Sequence, residues 1–137
     1  MNDFVHIETS GARVLVVDDE AHAREVVSLA LEVAGFQVLV AVDGREALEK
    51  ALQDAPDLVL TDIHMPRMDG DELAREIARR LGAAAPPVIG FTADRDLVAP
   101  LREQGRFRAV IRKPVSPSAL IELVQSHLPT RGRGEDR

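Results

Sequence analysis

The sequence predicts an open α/β domain, in which a parallel β-sheet is covered by helices on both faces. Two observations lead to this fold class. Short, uninterrupted apolar runs, typical of strands buried on both faces, alternate along the chain with segments whose apolar residues recur at helical spacing. Polar or charged residues directly follow each apolar run. Such alternation favours parallel pairing with right-handed crossovers, and we expect five strands in the doubly wound order 2-1-3-4-5, five helices and three layers.

The first strand and the first helix occupy the sequence up to Gly35. Val14–Val17 is a run rich in β-branched residues, and it ends at two carboxylates, Asp18 and Asp19. Apolar residues then recur at the i, i+3, i+4 spacing of one helix face. Gly35 is expected to end this helix, because glycine readily adopts positive φ. The residues expected to face the core are Ala23, Val26, Val27, Ala30, Leu31 and Ala34.

A second strand, Val38–Val42, leads into a second helix and a third strand. Asp43 stands three residues before Glu46, which is the spacing of an N-cap and the third helical residue. The third strand, Leu58–Leu60, is followed by Asp62 and then by Pro and Gly residues, so this carboxylate should lie at the carboxyl end of the sheet. The second helix is expected to bury Ala47, Leu48, Ala51 and Leu52.

The third helix repeats the capping pattern with Asp69 and Glu72, and the fourth strand, Val88–Phe91, ends at Thr92. Pro100 lies among the few apolar residues of the fourth helix, so it either starts a short helix or kinks a longer one. The apolar residues expected on these two helices are Leu73, Ile77, Ala78 and Leu81, then Leu97, Val98 and Leu101.

The last strand, Ala109–Ile111, ends near Lys113. Ser116 and Pro117 predict the N-cap and the first residue of the final helix. Its expected apolar face consists of Leu120, Ile121, Val124 and Leu128.

Length and composition indicate one soluble, cytoplasmic domain. The 137 residues suit a single core, and an apolar content of 45% argues against global disorder. The chain lacks cysteine, which excludes disulfides and thiol catalysis, and its formal net charge of −6 disfavours direct contact with nucleic acid or anionic lipid. No apolar run is long enough for a membrane span. We expect a lead-in over 1–11, the domain over 12–128 and a disordered tail over 129–137.

The carboxyl ends of the strands carry residues that could form one site. In the order 2-1-3-4-5, strands one and three are neighbours at the point where the winding reverses, so Asp18, Asp19 and Asp62 should converge. Three carboxylates in one crevice are costly unless a cation lies among them. Oxygen ligands without Cys or His favour Mg²⁺, and the sequence therefore predicts a magnesium site.

Lys113 and Thr92 end strands five and four and should lie at the same edge of the sheet. With a divalent ion and the Lys113 amine offsetting the three carboxylates, the site could accept a phosphoryl group, for which a carboxylate is a known nucleophile. The Thr92 hydroxyl could donate a hydrogen bond to a phosphoryl oxygen.

These residues, in this order, resemble the receiver domain of two-component response regulators. The matching features are Asp18-Asp19, Asp62 with Met65-Pro66 and Asp69-Gly70, Thr92-Ala93 and Lys113-Pro114. The resemblance covers roughly Ala12 to Leu128. Each motif is common by itself, and the resemblance is specific because all of them occur together in this order. It implies a flavodoxin-like fold and a stand-alone signalling protein with no output domain.

The resemblance also implies a role for each site residue. Asp62 would take a phosphoryl group from a phosphohistidine on a sensor histidine kinase or a histidine phosphotransfer protein. Thr92 would then move towards the phosphoryl group, and Lys113 would contact it. The protein would be a phosphoacceptor and not an enzyme acting on separate substrates. The implied Mg²⁺ ligands are Asp18, Asp19, Asp62 and the backbone carbonyl of His64.

The sequence departs from the family pattern at Val110. The family usually has Tyr or Phe three residues before the lysine, and this ring swings inward with the threonine. Phe107 is nearby but precedes the predicted strand. We therefore expect intact phosphorylation chemistry with an altered readout to an unidentified downstream protein, on the face formed by helix four, strand five and helix five. The resemblance further implies a cis peptide bond between Lys113 and Pro114.

Three alternative functions fit the sequence less well. A Mg²⁺-dependent phosphatase with an aspartyl nucleophile generally has a second acid two residues later, where this chain has His64. A nucleotide binder needs a Gly-rich phosphate loop, whereas the loop here is Asp18-Asp19-Glu20. A degenerate receiver, acting only as a constitutive binding module, would not require the intact acids, Thr92 and Lys113. The side chains of His64 and Asp94 flank the expected site and could tune attack of water on an aspartyl phosphate.

Overall fold

The computed structural model describes residues 11–128, in which β-strands and α-helices alternate. The strands are β1 (Arg13–Val17), β2 (Gln37–Ala41), β3 (Leu58–Asp62), β4 (Val88–Thr92) and β5 (Ala109–Arg112). The helices are α1 (Ala21–Val33), α2 (Gly44–Asp54), α3 (Gly70–Leu81), α4 (Arg95–Gln104) and α5 (Pro117–His127), and a 3₁₀ helix spans Gly82–Ala84. Residues 1–10 of the expected lead-in and the expected tail over 129–137 lie outside the described range.

The sheet has the order β2-β1-β3-β4-β5, and every neighbouring pair is parallel. Each face of the sheet has its own core. Val14 and Val16 of β1 pack in the core that contains residues of α1 and α5, whereas Leu15 and Val17 pack in the core that contains residues of α2, α3 and α4. This arrangement confirms the predicted five-stranded, doubly wound sheet and its three layers.

The strand register brings several polar residues to one edge. Val17 of β1 is paired with Thr61 of β3, so the residues that follow each of them, Asp18 and Asp62, lie at the same level on adjacent strands. At the other side of β3, Asp62 is paired with Phe91, which precedes Thr92. The register therefore sets the ends of β1, β3 and β4 side by side.

Helix caps predicted from the sequence are present. The Asp43 side chain accepts a hydrogen bond from the Glu46 N–H at 2.8 Å, and Asp69 forms a complete capping box with Glu72. Ser116 caps α5, in which Pro117 is the first residue. These caps satisfy N–H groups that have no partner within the helix.

Several details differ from the sequence predictions. Strand β2 begins and ends one residue earlier than expected. Pro100 does not start α4, because the helix is capped by Asp94 and continues through Pro100 to Gln104; of the two alternatives, the longer helix is observed. Val26 is 45% exposed, since at 100° per residue it lies about 140° from the buried Leu31.

The buried face of α3 also differs from the prediction at one position. Ala78 is exposed, and Ala74 takes its place in the core beside Leu73 and Ile77. At helical spacing Ala74 lies about 60° from Ile77 and Ala78 about 100°, which carries Ala78 off the core face. Within residues 11–128, the helices are too short or too polar to cross a bilayer.

Candidate functional site

Three carboxylates meet at the carboxyl edge of the sheet. Asp18 and Asp19 follow β1, and Asp62 is the last residue of the adjacent strand β3. One oxygen from each carboxylate lies within 4.8 Å of the others. Asp18 is buried, Asp62 is partly buried and Asp19 is exposed. The site is therefore a crevice with one solvent-facing acid, and the convergence expected from the strand order is observed.

Lys113 completes the crevice from β5. Its Nζ lies 3.1 Å from Oδ1 of Asp62 and 3.7 Å from Oδ2 of Asp18. The Lys113 N–H donates to the Thr92 carbonyl at 2.8 Å, and the Lys113–Pro114 peptide bond is cis, as the family resemblance implied. The ammonium group thus contacts both adjacent carboxylates at once.

The charges of the site are not balanced. Burial raises the pKa of Asp62, and the nearby Asp18 and Asp19 add to this rise, while the hydrogen bond and charge of Lys113 only partly oppose it. Burial lowers the pKa of Lys113, but the hydrogen bond and charge of Asp62 outweigh burial and give a net increase. An isolated ion pair would lower the pKa of its acid. The raised pKa of Asp62 therefore indicates that one lysine does not compensate for burial and for two further acids.

These carboxylates can hold a metal ion. The cluster offers only hard oxygen donors, and the raised pKa of Asp62 shows that added positive charge would be favourable there. The Glu20 N–H already donates to Oδ1 of Asp18 at 3.0 Å, which fixes the orientation of that carboxylate. The structure gives no contact for the carbonyl of His64, so its role as a ligand stays a prediction.

The raised pKa of Asp62 predicts how stability depends on pH in metal-free buffer. A carboxyl group whose pKa is higher in the folded state binds its proton more tightly there, so its contribution to stability is complete at low pH and is lost as the pH rises through the raised pKa. We expect Asp62→Asn to remove this decrease and to be more stable than the wild type near neutral pH, by at most about 1 kcal/mol because solvent screens the crevice.

Urea unfolding at several pH values measures this effect. Adding Mg²⁺ should make the wild type more stable than Asp62→Asn. An ion at a hundred times its Kd stabilises the folded state by about 2.7 kcal/mol, and the variant should bind the ion less well. A variant that is less stable than the wild type at neutral pH without metal would show that Lys113 dominates the charge balance.

The loop after β3 is held against the backbone of Asp62. The Ile63 N–H donates to the Phe91 carbonyl at 2.9 Å, and the Gly70 N–H donates to the Ile63 carbonyl at 2.8 Å. A Cβ atom at Gly70 would lie 2.5 Å from the Asp62 carbonyl oxygen and 2.9 Å from Cα of Ile63. Only glycine permits this approach, which fixes the start of α3 beside Asp62.

Thr92 is fully buried at the end of β4. Its hydroxyl oxygen accepts a hydrogen bond from the Asp94 N–H at 3.0 Å and lies 3.3 Å from Nε2 of His64. His64 is an exposed residue of the loop after β3. The sequence did not reveal its contact with Thr92, because the two residues are 28 positions apart.

Asp94 is the N-cap of α4, a role that the sequence pattern alone did not indicate. Its Oδ1 accepts a hydrogen bond from the Asp96 N–H at 3.0 Å at the start of α4. We expect Asp94→Ala to lower the free energy of unfolding by about 1 kcal/mol, whereas Asp94→Asn should retain the cap and stay close to the wild type. Urea unfolding of both variants tests this assignment, and equal stability of the two variants would contradict it.

An aromatic ring already fills the interior beside Val110. Val110 is fully buried and Phe107 is 6% exposed. The Phe107 ring atoms Cε1 and Cδ1 lie 2.9 and 3.1 Å from the position that a Cβ of Gly90 would occupy. A glycine inside a strand often marks such a close approach, so Gly90 was the signal that could have placed this ring. Arg102 of α4 donates from Nε and Nη2 to the Val110 carbonyl at 3.2 and 2.9 Å and ties α4 to β5.

A second feature missed from the sequence links the loop after β3 to α2. Arg67 adopts a φ of 69°, and its Nη1 lies 3.7 Å from Oδ2 of Asp43. A Cβ atom at Gly44 would lie 2.5 Å from the Met68 carbonyl oxygen, so the first residue of α2 must be small. The loop that carries His64 is therefore packed at both ends.

The open, doubly wound sheet and the acidic, lysine-containing crevice at its switch point define a domain of the receiver type. The chain belongs to the response regulator receiver domain family, whose model matches residues 14–125. Members of this family interact with sensor kinases.

Individual relatives agree with this placement. The chain is 40% identical over 116 residues to the transcriptional regulatory protein PdtaR of Mycobacterium tuberculosis, covering 82% of this chain and 55% of that protein. It is 37% identical over 117 residues to an uncharacterized 14.6 kDa protein of Leptolyngbya boryana, covering 83% of this chain and 88% of that protein. The chain spans about half the length of most of the curated relatives it matches.

Solved structures give the same result. The chemotaxis response regulator CheY4 of Vibrio cholerae superimposes with a TM-score of 0.77 at 31% identity, covering 85% of this chain and 98% of that one. A response regulator receiver domain protein from Clostridium thermocellum superimposes with a TM-score of 0.77 at 30% identity, covering 85% and 93%.

Proposed function

We propose that this receiver domain is a phosphorylation-controlled switch in which Asp62 accepts a phosphoryl group from a phosphohistidine of a sensor histidine kinase or a histidine phosphotransfer protein. One observation carries the proposal most directly: the Asp62 carboxylate lies within 4.8 Å of two further carboxylates and 3.1 Å from the Lys113 ammonium. A cluster of carboxylates paired with a lysine, at the point where the winding of the sheet reverses, is suited to accept a phosphoryl group with the help of a metal ion.

The transfer joins an oxygen of Asp62 to the phosphorus atom. The bond between phosphorus and the donor imidazole nitrogen breaks, and that nitrogen keeps the electron pair and takes up a proton. Lys113 holds Oδ1 of Asp62 before transfer and is close enough to contact a phosphoryl oxygen afterwards. The domain itself is the acceptor, so we propose no turnover of separate substrates.

A magnesium ion would be held by the carboxylates of Asp18, Asp19 and Asp62 and by the backbone carbonyl of His64. When bound, it supplies positive charge that offsets the carboxylates and the oxygens of the incoming group. The raised pKa of Asp62 supports this role, because the crevice has more negative charge than Lys113 can offset.

Thr92 is the residue that would respond first to phosphorylation of Asp62. It is buried at the end of β4, and its hydroxyl can donate to an oxygen of the phosphoryl group once its present contacts break. We propose that the response reaches a downstream protein on the face formed by α4, β5 and α5, since β4 and β5 end at Thr92 and near Lys113. Because Val110 replaces the usual aromatic residue, the route would use the Arg102 contact with the Val110 carbonyl and not a moving ring.

Intact mass measurement after incubation with acetyl phosphate and Mg²⁺ tests the proposal. We expect the protein to gain the mass of one phosphoryl group, and to gain none when the divalent ion is chelated. No mass gain over a range of acetyl phosphate and Mg²⁺ concentrations would contradict the proposed function.

A further inference from the structure

The contact between His64 and Thr92 connects the loop that follows Asp62 to the strand that would report phosphorylation. Nε2 of His64 lies 3.3 Å from Oγ1 of Thr92. Among residues 11–128, the other polar partner of this hydroxyl is the Asp94 N–H, at 3.0 Å. The imidazole is exposed, so it is not held over Thr92 by burial in the core.

The hydroxyl of Thr92 has a single proton to donate. The Asp94 N–H uses one of its lone pairs, so an imidazole nitrogen without a proton can accept the Thr92 hydrogen. The oxygens of an ionised phosphoryl group are acceptors and need a donor as well. His64 and the phosphoryl group on Asp62 would therefore compete for the same hydrogen-bond donor, the Thr92 hydroxyl.

We propose that His64 is a positioning residue that retains the Thr92 hydroxyl in the unphosphorylated state and so makes the switched state harder to reach. This inference rests on the proposed function of Asp62. His64 lies two residues beyond Asp62, so its side chain can be released from Thr92 without any change in the strands. Loss of one hydrogen bond of this kind shifts an equilibrium by about two- to tenfold.

Binding of beryllofluoride, which mimics a phosphoryl group on a carboxylate, measures this shift in the presence of Mg²⁺. The protein has neither Trp nor Tyr, so we would follow the titration by ¹H–¹⁵N NMR, with the Asp94 amide as the reporter of the Thr92 hydroxyl. His64→Leu removes both ring nitrogens and replaces the imidazole with an apolar side chain of similar length. His64→Gln retains a group that can accept the Thr92 proton. His22→Leu, on the exposed surface of α1, is the matched control.

We expect His64→Leu to bind beryllofluoride about two- to tenfold more tightly than the wild type, with His64→Gln and His22→Leu close to the wild type. Unchanged or weaker binding by His64→Leu would overturn the inference, because His64 would then be inert or would act as a donor that prepares Thr92. In a Thr92→Val background, His64→Leu should have no further effect. An undiminished effect there would also overturn the inference, since the histidine would act on another group.

The outcomes separate this inference from the function on which it rests. If the wild type does not bind beryllofluoride with Mg²⁺, the phosphoacceptor function and the role of His64 are both overturned. If the wild type binds it and His64→Leu binds it no more tightly, the role of His64 alone is overturned.

Discussion

Replacing Asp62 with asparagine is expected to reduce phosphoryl uptake from acetyl phosphate to the background level. The amide that replaces the carboxylate is a poor nucleophile, and it removes the negative charge that lies 3.1 Å from Nζ of Lys113. The protein should remain folded, because the substitution removes a carboxylate whose charge is unfavourable in the crevice. Intact mass measurement after incubation with acetyl phosphate and Mg²⁺ gives the result directly.

Asp43→Asn is the matched control for this experiment. Asparagine caps a helix as well as aspartate does, so α2 should keep its N-cap, and the acid removed lies outside the carboxylate cluster. We expect uptake by this variant to equal that of the wild type. Persistent labelling of Asp62→Asn would place the acceptor on another residue.

Gly70→Ala is expected to lower the free energy of unfolding by about 2 to 3 kcal/mol and to reduce phosphoryl uptake. The new Cβ would lie 2.5 Å from the Asp62 carbonyl oxygen and 2.9 Å from Cα of Ile63. Backbone atoms cannot rotate away as a flexible side chain can, so the end of β3 or the start of α3 must move. Either movement displaces Asp62 relative to Lys113. The loss should exceed the gain of about 1 kcal/mol that alanine brings to a helix.

Gly105→Ala separates this clash from the general cost of replacing glycine. Gly105 adopts a φ of 78° after α4, and no atom lies within 4 Å of a Cβ added there. We expect a loss of about 1 to 2 kcal/mol from the backbone conformation alone, with unchanged phosphoryl uptake. Urea unfolding and intact mass measurement apply to both variants. Gly70→Ala protein with normal stability and normal uptake would show that the close approach at Asp62 has no structural role.

Most of the fold and the placement of the acids could be predicted from the sequence. The reason is that apolar runs buried on both faces fix the strands, and the strand order then brings Asp18 and Asp62 together at one edge. Caps such as Asp43 and Asp69 depend on neighbours three residues away, so local spacing was sufficient to find them.

Contacts between distant segments could not be found in the same way. His64 meets Thr92 only because β3 and β4 are adjacent and the loop after β3 begins beside the end of β4. The burial of Phe107 depends on the space above Gly90, which periodicity does not describe. Val26 was misplaced for a related reason: apolar spacing identified a helix but did not show which side of it met the sheet.

We expect Asp62, and not a neighbouring acid or histidine, to receive the phosphoryl group. Borohydride reduces an acyl phosphate to an alcohol, so a phosphorylated aspartate becomes homoserine, whereas a phosphohistidine does not undergo this conversion. Trypsin should release residues 51–67, with Asp62 and His64, apart from residues 14–24, with Asp18 and Asp19. After labelling with acetyl phosphate and Mg²⁺, tandem mass spectrometry should locate homoserine at position 62. Homoserine at position 18 or 19, or labelled protein without homoserine at position 62, would contradict the assignment.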